Sequence, residues 1–74
     1  MELDPTEVLN EIEVLGDLID QALDTNSRSE DFCEDVKEKM ISMEEWIRDA
    51  GYATTAQLVA VTNWKIGVSK WIRE

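Results

Sequence analysis

Histidine is absent from these 74 residues, and with it the side chain best suited to proton transfer near neutral pH. Cysteine occurs once, at Cys33, which excludes an internal disulfide and the stapled framework of a small secreted domain. Its neighbours Glu30 and Glu34 disfavour a thiolate, so Cys33 is expected to be a half-buried, inert apolar residue. The three glycines form no phosphate-cradling loop, and no base stands ready to activate Cys33 or a serine. Asp24-Thr25-Asn26 opens like a calcium loop, but Arg28 occupies an oxygen-donor position and Ser29 replaces the glycine that the turn needs. These absences predict a protein that is not an enzyme and uses no cofactor and no metal. No apolar run approaches the roughly 20 residues that span a bilayer, and MELDPTEVLN lacks the basic and apolar regions of a secretory leader. The expectation is a soluble cytoplasmic chain without a membrane partner.

Cations are scarce, seven Lys and Arg against seventeen Asp and Glu, for a net charge of −10. They are also unevenly placed. Residues 1–50 hold sixteen acids and four bases, a balance of −12, whereas residues 51–74 hold Lys65, Lys70 and Arg73 against Glu74, a balance of +2. Such a charge repels nucleic acid and anionic lipid at long range and attracts a basic protein surface. A chain of this length forms one domain, residues 1–74, and buries only about 60% of its unfolded surface, so a second copy or a partner would add needed burial.

The apolar spacing is helical throughout. Asp4-Pro5-Thr6-Glu7 has the form of a helix start, and Val8, Ile12, Leu15, Ile19 and Ala22 carry a stripe to about Asp24. Ser27 and Glu30 have capping-box spacing and predict the start of a second helix. Its stripe is Phe32, Val36, Met40, Met43 and Ile47, with Cys33 and Trp46 at the edge and Gly51 as terminator. Trp46 is expected to pack under the segment that follows. Thr54 and Gln57 repeat the capping-box pattern before Leu58, Val61, Trp64, Val68, Trp71 and Ile72. That segment is expected to be one helix to Arg73, or a helix pair breaking at Asn63. The predicted fold is all-α: an antiparallel helical hairpin plus a C-terminal helix or helix pair, in a small bundle. No strand is expected.

Two resemblances follow from these residues. Thr55 to Arg73, with Leu58, Ala60, Val61, Asn63 and Val68-Ser69-Lys70-Trp71-Ile72, resembles the paired helices of bacterial helix-turn-helix regulators, with Asn63 standing where the turn usually has glycine. The likeness implies a DNA-binding transcriptional regulator that turns Lys65, Ser69, Lys70 and Arg73 towards the major groove. The order Phe32, Trp46, Gly51, Thr54, Gln57, Trp71 is similar to small acidic helical proteins of bacteriophages and mobile elements, which implies an inhibitor of a host or defence machine.

Carboxylates on successive helical turns stand about 5–6 Å apart, near the spacing of phosphates on a strand. The acidic surface of Glu7, Glu11, Asp17, Asp20 and Asp24, continued by Glu30, Asp31, Glu34, Asp35, Glu38 and Glu45, is therefore suited to fill a nucleic-acid-binding groove on another protein. This DNA-mimic reading leads, with the helix-turn-helix regulator as its alternative. The tryptophans pack into the core by default, but 74 residues enclose three indoles poorly, so at least one of Trp64 and Trp71, seven apart on one face, is expected at an interface; the charge asymmetry of the chain predicts a homo-oligomer, simplest as a homodimer.

Overall fold

The Asp4 backbone is extended, and its carboxylate accepts from the Thr6 amide at 2.9 Å. With Pro5 at the first helical position, this starts α1, Pro5–Thr25. The computed structural model describes residues 2–73, and α1 buries Val8, Ile12, Leu15, Ile19 and Ala22, the stripe that the spacing predicts.

The corner after α1 departs from expectation. Ser27 and Glu30 form no capping box; Ser27–Ser29 is a single 3-10 turn, and α2, Glu30–Ala50, has no side-chain cap. The reason is local competition. The Asn26 side chain accepts from the Arg28 amide at 3.0 Å, and the buried Ser29 hydroxyl donates to the Asn26 carbonyl at 2.7 Å, so the corner is closed before α2 begins. Cys33 is fully buried, like Val36 and Ile47, where half-burial was expected.

Gly51 ends α2 in the left-handed conformation, φ 81°, its amide donating to the Ile47 carbonyl at 2.9 Å. That turn folds Tyr52 back onto Trp46, ring centroids 5.4 Å apart and edge to face. Trp46 is consequently not tucked beneath the C-terminal helix; it is 45% exposed. A hydrophobic contact between the residue beyond such a turn and the helix's last full turn commonly accompanies this ending, and here Trp46 serves it.

The second capping box forms in full: the Thr54 amide donates to Gln57 Oε1 at 2.8 Å, and the Gln57 amide to Thr54 Oγ1 at 3.1 Å. It launches α3, Thr55–Arg73, unbroken through Asn63. Two short strands precede α1 and α3: β1, Glu2–Leu3, pairs antiparallel with β2, Ala53–Thr54, in the register Glu2 to Thr54 and Leu3 to Ala53. Elements of two residues leave no alternating pattern to read, so this pair was invisible in sequence. It ties the starts of α1 and α3 together, and the two reversals of the chain, at Ser27–Ser29 and at Gly51, leave these helices running the same way, directly against each other. The fold is all-α, a hairpin of α1 and α2 completed by α3, and α1 packs against both other helices.

Two glycines inside helices contrast. A Cβ on Gly16 would meet nothing within 4 Å, whereas one on Gly67 would stand 2.9 Å from Cζ of Phe32, whose ring is edge-on to Trp71. Gly16→Ala is expected to stabilise the fold by about 1 kcal/mol, the helix-propensity difference, raising Tm by roughly 4–8 °C. Gly67→Ala has the same propensity gain but must displace the Phe32 ring, so thermal unfolding followed by circular dichroism should rank it below Gly16→Ala. The reverse order would refute the packing assigned to Phe32.

Candidate partner-binding surfaces

Because α2 buries Cys33, Val36 and Ile47, its opposite arc is fixed towards solvent. Glu30, Asp31, Glu34, Asp35, Glu38 and Glu45 are all exposed there, on an axial length of about 22 Å at 1.5 Å per residue. Among the described residues only Asp35 of the six is ion-paired, with Lys39 at 3.0 Å. Ile41, 44% exposed, sits at the edge of the arc, between Glu38 and Glu45 on one side and Lys37 and Glu44 on the other.

The acidic surface is two stripes rather than one. Lys37 and Arg48 lie on the side of α2 nearer α1 and, with Glu13, Asp17 and Asp20 of α1, line a cleft of about 600 Å³ floored by Leu9, Ile12, Gly16 and Met40. They separate the α1 carboxylates from the α2 arc. Glu7, Asp17, Asp20 and Asp24 are exposed, but Glu11 is not part of the outer face: it is half-buried against α3 and paired with Lys65. The spacing within α1 could not show this, because the pairing depends on which residue of α3 lies alongside.

The basic residues of α3 divide in the same way. Lys65 is committed to Glu11, and Ser69 is half-buried, while Lys70 and Arg73 are exposed. With α3 continuous at Asn63, the segment Thr55–Arg73 has no turn, so the two-helix geometry that the regulator likeness implies is not formed by it. The helix continues because Asn63 is exposed, needs no left-handed conformation, and the apolar residues on either side share one core-facing stripe.

Trp64 and Trp71, at least one of which is expected at an interface, are both half-buried and pack against the core. Trp71 packs edge-on to Phe32 with centroids 6.3 Å apart. The exposed apolar side chains of α3 are Val59 at 53% and Ile66 at 55%, joined by Val14 of α1 at 47%. A signal for them was present: Val59 and Ile66, seven apart, are the large aliphatic residues of α3 that fall outside the stripe from Leu58 to Ile72. Val14, Leu18 and Ile66 with Thr62, Lys65, Ser69, Lys70 and Arg73 line a groove of about 300 Å³ between α1 and α3, and no carboxylate of the described residues lines it.

Comparison with protein-family models, curated proteins and solved structures finds no match to this chain. Function is thus argued from these surfaces. No helix among the described residues is long and apolar enough to cross a membrane.

Proposed function

We propose that the chain is a non-enzymatic interaction protein whose α2 arc occupies a basic, nucleic-acid-binding site on another protein, in the manner of a phage-type inhibitor of a host or defence machine. The observation that supports it is the exposed, largely unpaired row of Glu30, Asp31, Glu34, Asp35, Glu38 and Glu45, held on a helix whose other side is buried. A row of carboxylates at near-phosphate spacing on a rigid helix presents the charge pattern of a strand without its flexibility. Mechanistically the action is competition: the carboxylates steer the encounter, and Ile41 supplies an apolar contact at the edge of their row.

The test is capture. Immobilised protein is exposed to nuclease-treated and untreated bacterial lysates at about physiological salt, and retained proteins are identified. A basic nucleic-acid-processing protein retained from both lysates supports the proposal and names its target. Retention of DNA, or of proteins lost after nuclease treatment, replaces it with DNA binding through Lys70 and Arg73.

A further inference from the structure

The groove between α1 and α3 is opposite in character to the rest of the surface. In a chain of net charge −10 it is lined, among the described residues, by three cations and no anion, around an apolar floor of Val14, Leu18 and Ile66. Nothing in the bundle covers Val14 and Ile66, about half of whose surface faces water. On the far side of the bundle, the α2 arc has the converse arrangement: one exposed aliphatic residue, Ile41, flanked one helical turn away by Glu38, Glu44 and Glu45, with Lys37 as the single cation among these neighbours. An apolar floor rimmed by cations and an apolar residue rimmed mainly by carboxylates are complementary in charge and polarity.

We infer that the α1–α3 groove is the docking site for the α2 arc of a second copy of this chain, with Ile41 seated over Val14, Leu18 and Ile66 and with Lys70 and Arg73 against Glu38 and Glu45. The net charge does not prevent this, because at physiological ionic strength the screening length is about 8 Å and only charges near the seam act strongly. Lys65 contributes little, being already paired with Glu11. The groove is lined by α1 and α3 alone, and the arc points away from both, so the two surfaces lie on opposite sides of one molecule. Association is therefore head to tail. It continues beyond two copies, as an open chain or a ring, and is not a two-fold dimer. The inference concerns the purified protein alone and stands or falls independently of any host target.

Sedimentation equilibrium at about 150 mM salt, from micromolar to millimolar protein, tests it together with a complementary pair of variants. Wild type is expected to show a weight-average mass that rises past two copies. Lys70→Glu/Arg73→Glu and Glu38→Lys/Glu45→Lys alter only exposed residues, so both are expected to keep wild-type circular dichroism, and each alone is expected to associate at least about tenfold more weakly. Mixed in equal amounts, the two variants place reversed charges opposite one another and are expected to recover association. A wild type that stays monomeric, a mass that levels off at two copies, or a mixture no stronger than its components would overturn the inference.

Discussion

Replacing Glu34, Glu38 and Glu45 together by lysine is expected to weaken capture of the basic target by about a hundredfold or more. Each change converts an attraction at the seam into a repulsion, worth roughly 1–2 kcal/mol, and three such changes exceed the 2.8 kcal/mol that corresponds to a hundredfold. Loss of folding would not explain that result. All three residues are exposed, and lysine at position 34 stands four residues after Glu30, the favourable order for a helical ion pair, where glutamate now opposes glutamate. The net charge would move from −10 to −4. Asp17→Lys, Asp20→Lys and Asp24→Lys together produce the same net charge from the other acidic stripe, across the cleft that Lys37 and Arg48 line. That control separates a site from a bulk field. Binding isotherms at several salt concentrations should show the α2 variant losing both affinity and salt dependence, with the α1 variant losing much less. Equal losses would mean that total charge governs binding and that the α2 arc is not the site.

Leu15→Ala is expected to cost about 2–5 kcal/mol, the range for emptying a fully buried leucine site. Set against a total of roughly 4–11 kcal/mol for a domain of this size, that loss removes a large part of the stability. Leu15 belongs to α1, the helix that makes most of the contacts between helices, so the cavity would open in the centre of the core. One residue earlier, Val14 is half-exposed, and Val14→Ala should cost less than about 1 kcal/mol. Urea titration followed by far-ultraviolet circular dichroism measures both; similar midpoints for the two variants would contradict the orientation of α1.

Much of this fold was legible because its determinants are close in sequence. The α1 stripe, the left-handed Gly51 and the Thr54–Gln57 box all act within one or two helical turns, and each appears in the structure as its residues predict. Ser27 and Glu30 have the same spacing as Thr54 and Gln57 and form no box, because Asn26 and Ser29 satisfy the corner first. A local motif can be displaced by a better local motif, and the residue pattern does not rank them.

The surfaces were legible only in part. The six carboxylates of the α2 arc follow from their position opposite Val36 and Ile47, which any helical reading supplies. The spacing of Trp64 and Trp71 on one face does not report that Trp71 rests edge-on against Phe32, whose ring comes close to Gly67 of α3, because that contact joins α2 to α3. The groove of Val14, Leu18 and Ile66 joins residues about fifty positions apart, and no periodicity within one helix reports which other helix lies alongside it.

The sequence by itself determined the helical class, the buried stripes and the acidic arc, since helical spacing and burial fix which side of each helix meets solvent. Only the tertiary structure decided that the last segment is one unbroken helix, that Glu11 is spent on Lys65, that Lys37 and Arg48 divide the acidic surface, and that α1 and α3 run side by side. The physical reason is that each of these pairings joins residues far apart in the chain, as Glu2–Leu3 joins Ala53–Thr54 across fifty residues, and such contacts leave no pattern within one helix.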